Sequence, residues 1–375
     1  MASRRLRLAY LADPSSVHTR RWLSFFAARG HEVQLWTAFG RAVPPDLAAL
    51  VEVRHFGRPN APRIPGLTSL TSGWSLAAHL KGARPDILHA HYLSSSGWLA
   101  RLAGFHPWVV TAWGSDLLVD APRTFRSRFR ARQVLAHADL VTVPATHMEH
   151  RAVEAGARPA RIRRVPFGVD TAAFSPAAAR HDAALATVGL ADQRFVFSPR
   201  TIRPVYRPDV VISSLSMLAP DVSVVMPGRG ADGEYLRALR DKAEAAGVGH
   251  RLRVLDAVTD DLMLTLFRAA AVVLSVPESD GLPSSVLEAM ACGVPVVVSD
   301  LPGPREALGP DHPDLVVPVG DAQALADVLN RLLAVPDADR HALGGMLRRR
   351  AIERFDRATC MLEMERLYLS LVPAS

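Results

Sequence analysis

One short segment in the second half of the chain combines two carboxylates with two hydroxyls. Asp280 and Glu288 lie on either side of Ser284 and Ser285. A carboxylate accepts two hydrogen bonds and can therefore hold a vicinal diol, such as that of a sugar or a ribose. Serine hydroxyls and backbone N–H groups at a helix start donate to phosphate oxygens. The two carboxylates could thus bind a sugar and a ribose, one on each side of a phosphate bound at the helix start.

The elements around this segment place it directly after a buried strand. The strand is predicted to end at Val276, and a short helix is predicted to begin near Ser284 and to stop at Gly293. Ser284 or Ser285 is expected to cap the helix, and Gly293 is a typical residue just beyond a helix end. The first N–H groups of a helix lack acceptors, so this helix start is a ready anion site.

Short β-branched runs alternate with helical patterns over nearly the whole chain, which predicts an α/β protein. The predicted strands are Leu6–Ala12, Glu32–Trp36, Val51–Phe56, Asp86–His91, Val109–Ala112, Leu140–Val143, Phe195–Ser198, Val222–Met226, Leu252–Leu255, Ala271–Val276, Val294–Ser299 and Leu315–Val317. Near-continuous apolar strands separated by helices are typical of parallel sheets covered on both faces. We therefore expect two Rossmann-like, doubly wound domains that face each other across a cleft, with ligands beyond the carboxyl ends of the strands.

The segment with the two carboxylates resembles the D/E-x7-E signature of the family 4 retaining glycosyltransferases, which have the GT-B fold. The resemblance is close over 277–298 and extends to four other segments. In the first half of the chain, Arg29–Val33 is similar to the family's RGHEV and Pro85–His91 is similar to its PDIIHAH. Further along, Val165–Asp170 is similar to VPNGVD, and Gly228–Gly230 stands where the family has GxG.

The resemblance implies a role for each residue of the segment. Glu288 would bind the ribose hydroxyls of a nucleotide, and Asp280 would hold hydroxyls of the transferred sugar, where many relatives have Glu. Ser284 and Ser285 would contact the diphosphate. The predicted donor site comprises Asp280, Gly281, Leu282, Ser284, Ser285, Glu288, Gly228, Arg200 and Arg207. The alternative is that Asp280 and Ser284 are ordinary turn and cap residues.

The family usually places an Arg after the first strand of the second domain and a Lys a few residues later. Both cations stabilise the charge that develops on the diphosphate leaving group. Arg200 supplies the first, and because the only two lysines of the chain lie elsewhere, Arg203 or Arg207 is expected to supply the second. Arginine binds phosphate oxygens in a bidentate way. The alternative for Arg207 is a solvated loop residue.

The first domain is predicted to present the acceptor. Ser16, His18 and Arg21 open a helix after the first strand, and they could touch a polar acceptor or the diphosphate. The alternative is a capped helix start with an exposed arginine. Trp113 is the fourth predicted acceptor-side residue.

Trp113 stands where many relatives have a His that is thought to act near the transferred sugar. Since tryptophan cannot exchange a proton, Asp116 and His91 are the candidates for that role, and Asp280, Arg200, Asp116 and His91 are the predicted catalytic residues. His89 and His91 share one face of a strand. Such a pair suggests a metal, but no third ligand is visible. The alternative is a pair of hydrogen-bonded, strand-end histidines.

We expect no metal site and no cofactor besides the nucleotide-sugar. The segment Asp337–Asp339 superficially matches the metal motif of the other major glycosyltransferase fold, but a surface turn is expected there. An Ala-rich linker is predicted at 175–193, between an acceptor-binding domain at 1–177 and a donor-binding domain at 178–357. The resemblance implies that the last helix, within 358–375, packs back on the first domain.

The composition limits the possible partners. The net charge is +7, but arginine is spread through every segment, and we expect no nucleic-acid partner. The two cysteines indicate a reducing compartment. No apolar run suits a membrane span or a signal core, so a cytoplasmic protein is expected. The segment Arg123–Arg132 carries Phe125 and Phe129 between arginines. It is either a solvated basic face or a peripheral contact with an anionic membrane.

Together these features predict a retaining, metal-independent glycosyltransferase that uses a UDP or GDP sugar. Its acceptor would be a small molecule, a polysaccharide or a lipid-linked alcohol. Two alternatives remain on the same fold. A nucleotide-sugar epimerase would convert the donor without an acceptor, and a silent binding protein would bind the donor without turnover.

Overall fold

The computed structural model describes residues 4–38, 41–56, 67–177, 182–191 and 193–373. The chain divides into two compact units, of which one comprises Met1–Pro166 with Ala358–Ser375 and the other Phe167–Arg357. The division falls earlier in the chain than position 177, because the segment after Pro166 hydrogen-bonds to the second unit. Val169 N donates to Phe355 O at 2.8 Å, and Arg357 N donates to Val169 O at 2.9 Å.

The first unit is built on a seven-stranded parallel sheet. Its strands are β1 (Arg7–Leu11), β2 (Glu32–Ala38), β3 (Glu52–Phe56), β4 (Ile87–His91), β5 (Trp108–Thr111), β6 (Leu140–Val143) and β7 (Ile162–Arg164), in the order β3-β2-β1-β4-β5-β6-β7. The chain leaves β1 toward β2 and β3 and then returns to β4 on the other side. The space between β1 and β4 is therefore the topological switch point, where such sheets bind ligands.

Helices cover this sheet. They are α1 (Val17–Ala28), α2 (Pro45–Leu50), α3 (Leu67–Ala83), α4 (Trp98–Ala103), α5 (Ala121–Arg123), α6 (Phe125–His137) and α7 (Thr146–Glu154). Two π-helical turns, Tyr92–Gly97 and Asp116–Asp120, and one 3-10 turn, Pro159–Arg161, connect them. Because β1, β4, β5 and β6 are buried on both faces, most of their residues are apolar, and the polar ones include His89 and His91 of β4.

The second unit is built on a six-stranded parallel sheet with the same winding. Its strands are β8 (Arg194–Phe197), β9 (Val222–Pro227), β10 (Leu252–Leu255), β11 (Val272–Ser275), β12 (Val296–Ser299) and β13 (Val316–Val317), in the order β10-β9-β8-β11-β12-β13. Its switch point lies between β8 and β11. The doubly wound α/β architecture predicted from the sequence is confirmed.

The helices of the second unit are α8 (Asp182–Ala186), α9 (Pro208–Leu215), α10 (Gly233–Ala245), α11 (Asp260–Ala269), α12 (Ser284–Ala291), α13 (Pro302–Leu308), α14 (Ala322–Ala334) and α15 (Asp337–Phe355). The 3-10 turns are Pro204–Tyr206, Gly249–Arg251 and Pro313–Leu315. The backbone of α15 approaches α12 closely, since a Cβ at Gly344 would lie 1.8 Å from Gly293 O. Glycine is required at that position.

The last helix, α16 (Arg357–Leu371), places its side chains in the first unit. Tyr368 is buried there and its hydroxyl lies 2.8 Å from that of Tyr10. Glu365 Oε1 lies 2.7 Å from His31 Nε2, and its other oxygen pairs with Arg29 at 2.9 Å. These contacts attach α16 to β1 and α1 and to the turn that follows α1.

Three local predictions differ from the structure. β7 was not expected, because a three-residue edge strand with two exposed arginines has no apolar pattern. Asp337–Asp339 begins α15 and is not a turn, since acidic side chains suit the first turn of a helix. The predicted linker contains α8.

Candidate functional site

The residues predicted to bind the donor follow the carboxyl ends of the strands in the second unit. Arg200 comes after β8 and Gly228 after β9, while Asp280 lies on the turn between β11 and α12. Since β8 and β11 are neighbours, Arg200 and Asp280 both lie at the switch point. Parallel strands place all of these residues on one edge of the sheet.

Arg200 and Asp280 form an ion pair at this switch point. Arg200 Nη2 lies 3.0 Å from Asp280 Oδ2, and only 17% and 13% of the two side chains are exposed. The guanidinium also lies over the ring of Tyr206, with Cζ 4.1 Å from the ring centroid. Such stacking and pairing hold a guanidinium in one orientation. The structure thus brings together two residues that lie 80 positions apart in the sequence.

The start of α12 differs in one detail from the prediction. Pro283 occupies the cap position, and no side chain in the described part of the chain caps the helix, so the prediction that Ser284 or Ser285 would do so is wrong. The predicted end of the helix is confirmed, because Cys292 is the C-cap residue and Gly293 follows it with φ +73°. Without a side-chain cap, the first N–H groups of α12 remain available for a ligand.

Two serine hydroxyls near α12 have no hydrogen-bond partner in the described part of the chain. The Oγ atoms of Ser285 and of Ser275, the last residue of β11, are buried and accept or donate no hydrogen bond within the described part of the chain. Asp280 Oδ1 accepts from Gly281 N at 2.9 Å, which fixes the turn. Leu282 is buried beneath it. Glu288 lies on α12, one turn after Ser284, and is half-buried.

Arg207 is held by two carboxylates. Its Nε and Nη2 donate to Asp209 at 3.0 and 2.9 Å, and its Nη1 donates to Glu278 at 3.1 Å. The hydrogen bond and charge of Asp209, and to a smaller extent Glu278, raise the pKa of Arg207. Burial acts to raise the pKa of Asp209, but the hydrogen bond and charge of Arg207 lower it overall. Arg207 has φ +51° at the start of α9. It is therefore an ordered, charge-neutralised residue and not the solvated loop residue of the alternative interpretation.

Gly228 allows two backbone segments to approach closely. A Cβ at this position would lie 2.7 Å from Val254 Cγ1 of β10. Gly228 N donates to Leu255 O at 2.8 Å, and Gly228 O accepts from Ala231 N at 3.0 Å. The glycine thus shapes the turn after β9.

The first unit has a different kind of site at its switch point, made mainly of rings. His18 of α1 lies 4.9 Å from Trp113, and Tyr92 stacks on Trp113 at 5.8 Å with an angle of 15° between the planes. Tyr92 has φ +71°, a conformation that tyrosine rarely adopts. Strain of this kind concentrates at functional sites. Tyr92 was not among the predicted residues, because no spacing reveals a positive φ.

Four rings surround His91, those of Tyr10, Trp22, His89 and Trp113. Their centroids lie 5.6 Å away for Tyr10, 5.1 Å for Trp22, 4.8 Å for His89 and 5.1 Å for Trp113. His91 is buried, and neither ring nitrogen has a hydrogen-bond partner among the described residues. A buried polar group without a partner is costly in free energy, which indicates that a ligand or water completes it.

Burial lowers the pKa of His91 to about 3, with a smaller contribution from the charge of His18. The imidazole is therefore neutral over the physiological range. A neutral imidazole offers one donor and one acceptor, which suits an alcohol better than an anion.

His89 is a structural residue, as the alternative interpretation expected. Its Nε2 lies 2.7 Å from Thr111 Oγ1, and its Nδ1 lies 2.5 Å from Tyr368 Oη. Thr111 Oγ1 in turn lies 2.5 Å from Thr142 Oγ1. Burial lowers the pKa of His89 well below its usual value. The same interpretation fails for His91, whose ring nitrogens have no such partners among the residues that the structure describes.

Asp116 does not fit the role of a base or an acceptor contact. It is fully buried and accepts from four backbone N–H groups, at 2.9 Å from Leu93, 2.9 Å from Trp113, 3.0 Å from Gly114 and 3.1 Å from Leu117. Burial raises its pKa, and the N–H groups oppose that rise. With its oxygens occupied, Asp116 ties the turns after β4 and β5 together and so positions Trp113.

The loop after β1 supplies the helix cap of the alternative interpretation, but its arginines are partly buried and not exposed. Ser16 is the N-cap of α1, and its Oγ accepts from Thr19 N at 3.5 Å. Arg21 lies on α1 and is partly buried. Trp22, one residue on, is buried against His91 and was not predicted. The apolar face of α1 was the only available signal for it.

Within the described ranges, no three His, Cys, Asp or Glu side chains come together as a metal site would require. No helix in the same ranges is long and apolar enough to cross a membrane.

Comparisons with known proteins agree with the two-unit architecture. Residues 186–349 match the family described as glycosyl transferases group 1, and residues 15–168 match the glycosyl transferase 4-like domain. A D-inositol 3-phosphate glycosyltransferase of Salinispora tropica is 34% identical, over 83% of this chain and 71% of that protein. The chain belongs to the group 1 glycosyltransferases.

Further relatives of this glycosyltransferase are similar over more of their length. The D-inositol 3-phosphate glycosyltransferase of Actinosynnema mirum is 30% identical, over 89% of this chain and 87% of that protein. Among solved structures, Thermosynechococcus elongatus sucrose-phosphate synthase has a TM-score of 0.82 at 21% identity, covering 98% of this chain and 99% of that one. Anabaena HepE in complex with UDP-glucose has a TM-score of 0.83 at 18% identity, covering 98% and 100%. The GT-B fold expected from the sequence is thereby confirmed.

Proposed function

We propose that this glycosyltransferase moves a sugar from a nucleoside diphosphate sugar to an acceptor hydroxyl, with retention of the anomeric configuration. The observation that carries the proposal is the Arg200–Asp280 pair beside the uncapped start of α12. An arginine and a helix N-terminus on one edge suit a diphosphate. Retention is proposed from the resemblance of the 280–288 segment to retaining enzymes.

Each donor-side residue has one role in this mechanism. Arg200 and the N–H groups of α12 stabilise the negative charge that grows on the diphosphate as the glycosidic bond breaks. Asp280 accepts from hydroxyls of the transferred sugar, and Glu288 accepts from the ribose diol. Arg207 supports the site by its ion pair with Glu278, which lies on the same turn as Asp280. No metal or further cofactor is needed in this scheme, since cations and N–H groups supply the stabilisation.

The acceptor side rests on His91 and the rings around it. His91 is neutral and lacks protein partners within the described ranges, so its nitrogens are suited to exchange hydrogen bonds with an acceptor alcohol. Trp113 and Tyr92 offer stacked aromatic faces, on which sugar and polyol C–H groups pack well. His18 of α1 lies 4.9 Å from Trp113, and Arg21 lies three residues further along the same helix.

A phosphorylated acceptor fits a second feature of the first unit. A cavity of about 110 Å³ is lined by Ser94, Asp120, Arg126, Ser127 and Arg130 among others. Arg126 and Arg130 lie four positions apart on α6 and so share one face of the helix, and burial and then the charge of Arg126 lower the pKa of Arg130. The two relatives named above act, by their names, on D-inositol 3-phosphate. We propose a small polyol phosphate as acceptor.

The test begins with thermal unfolding in EDTA with UDP, GDP, ADP and dTDP and their sugar conjugates. A nucleotide at about 100 times its Kd adds about 2.7 kcal/mol of stability. Glu288→Ala should weaken the binding of that nucleotide about 10- to 100-fold, because a charge-assisted hydrogen bond is lost. Glu234→Ala, on the exposed start of α10, is the matched control. Unchanged affinity in Glu288→Ala would contradict the ribose role.

Turnover with D-inositol 3-phosphate and NMR of the product then test transfer and retention. Conversion of the donor without acceptor would favour the epimerase. Binding without turnover against any acceptor would favour a silent protein.

We also propose a cytoplasmic location with peripheral membrane contact through α6. Phe125 is 78% exposed and Phe129 is 50% exposed, and arginines flank both. Aromatic side chains between cations suit an anionic bilayer surface. Co-sedimentation with vesicles containing phosphatidylserine should fall when both are replaced by serine. If the variant sediments with the vesicles as much as the unmodified chain does, α6 is a solvated basic face and not a membrane contact.

A further inference from the structure

The second unit contains a large open cavity that the proposed function does not use. Its volume is about 1240 Å³. Its wall includes Arg194–Phe195 at the start of β8, Ala270–Ala271 before β11 and Gly293–Pro295 before β12. These residues lie at the amino ends of the strands. Because the sheet is parallel, the cavity is on the edge opposite to Arg200 and Asp280.

The two edges are well separated. β8, β11 and β12 each contain four residues, which span about 13 Å at about 3.3 Å per residue. Because none of the residues assigned to the donor edge lines this cavity, the cavity is a separate place on the second unit.

Four arginines line the cavity, and one carboxylate faces them from its described wall. The cations are Arg194, Arg268, Arg340 and Arg348, with His341 beside them, and the carboxylate is that of Asp337. Cys292 also lines the wall, and burial raises its pKa to about 12, so its thiol carries no negative charge. The described lining is therefore strongly positive.

Carbonyl oxygens orient most of these guanidinium groups. Arg268 Nε donates to Ser175 O at 2.7 Å, and Arg348 Nη1 donates to Phe174 O at 3.1 Å. Arg194 donates to Leu333 O. A neutral carbonyl fixes the direction of a guanidinium but does not cancel its charge. Each guanidinium also has five N–H donors, more than these bonds use.

The cations affect one another. Arg340 is buried, and its pKa is lowered by burial and then by the charge of Arg194. Arg268 and Arg348 donate to the adjacent carbonyls of Ser175 and Phe174, so they too lie close together. Like charges gathered in a partly buried cavity repel, and an anion between them would relieve that repulsion.

We propose that this cavity binds a phosphorylated small molecule, at a site separate from the donor edge. Arginine pairs bind phosphate oxygens in a bidentate way and so select this group among anions. Phe195, Val294, Pro295 and Leu333 supply apolar wall, which suits an organic part on the phosphate. The volume is ample for a ligand of nucleotide or sugar-phosphate size.

The experiment titrates inorganic pyrophosphate into the full chain by calorimetry at constant ionic strength. The double variant Arg194→Gln/Arg268→Gln should weaken one binding component at least about 10-fold, because two charge-assisted contacts are lost. The same component should persist in Arg200→Gln, which alters the donor edge. Arg237→Gln, an exposed arginine of α10, is the matched control and should titrate like the unmodified chain.

A second variant changes affinity in the opposite direction. Asp337→Asn removes the described carboxylate of the cavity and releases its partner Arg340, so pyrophosphate should bind about threefold tighter. Misfolding does not tighten binding, which keeps the test valid if the double variant is unstable. The proposal is overturned if the double variant binds like the unmodified chain, if Arg200→Gln removes all binding, or if sodium sulfate competes equally well.

Discussion

The two switch points of this glycosyltransferase are built from opposite materials. In the second unit, Arg200 and Asp280 face each other as charges beside an uncapped helix start. In the first unit, His91 is neutral and is surrounded by the rings of Trp22 and Trp113. The same winding therefore carries an ion-paired site in one unit and an aromatic site around a neutral histidine in the other. Fold alone does not set the chemistry, which the residues after each strand determine.

The largest effect is expected at the charged switch point. Asp280→Ala should lower sugar transfer about 100- to 1000-fold, because contacts to the sugar are lost and Arg200 loses its partner. Binding of the free nucleotide diphosphate should change little. Steady-state kinetics and calorimetry measure the two. Asp241→Ala, which removes an exposed carboxylate of α10, is the control. Full activity in Asp280→Ala would mean that the sugar binds elsewhere.

The buried carboxylate of the first unit should respond differently. Asp116→Asn should destabilise the chain by about 2–3 kcal/mol, because an amide cannot accept from all four N–H groups. Urea unfolding measures this loss. Under conditions in which Asp116→Asn is folded, its kcat should lie within a few fold of that of the unmodified chain. A large loss of kcat with unchanged stability would show that Asp116 is catalytic after all.

The neutral histidine predicts a pH dependence of stability. His91 has a folded pKa of about 3, below its usual value of about 6.5, so the unfolded chain takes up the proton first. As the pH falls below about 6.5, the unmodified chain should lose about 1.4 kcal/mol of stability per pH unit relative to His91→Asn. Urea unfolding of both chains from pH 7 to pH 4 measures the difference. A constant difference would show that His91 is not held neutral.

The smallest effect is expected at Arg207. Since Asp209 and Glu278 already neutralise it, Arg207→Gln should weaken nucleotide binding only about two- to threefold. Arg200→Gln should weaken it far more. An equal loss of nucleotide affinity in the two variants would show that Arg207 binds the diphosphate as strongly as Arg200 does.

The sequence predicted most of what the charged site contains. The strand, turn and helix around Asp280 are local features, and Gly293 ends α12 where its type indicates. The cap was misassigned because proline and serine both suit the first turn of a helix, and the choice depends on where the chain leaves β11. The ion pair of Arg200 with Asp280 was not predicted, since only the pairing of β8 with β11 brings the two together.

The sequence by itself determined the winding of both sheets and the residues that follow each strand, because hydrophobic pattern and turn residues act over a few positions. The tertiary structure decided which of those residues are used. It occupied Asp116 with four N–H groups, joined His89 to Tyr368 across the length of the chain, and left His91 without such bonds in the described ranges. Burial and hydrogen bonding depend on neighbours from distant parts of the chain, and these distinctions exist only once the chain has folded.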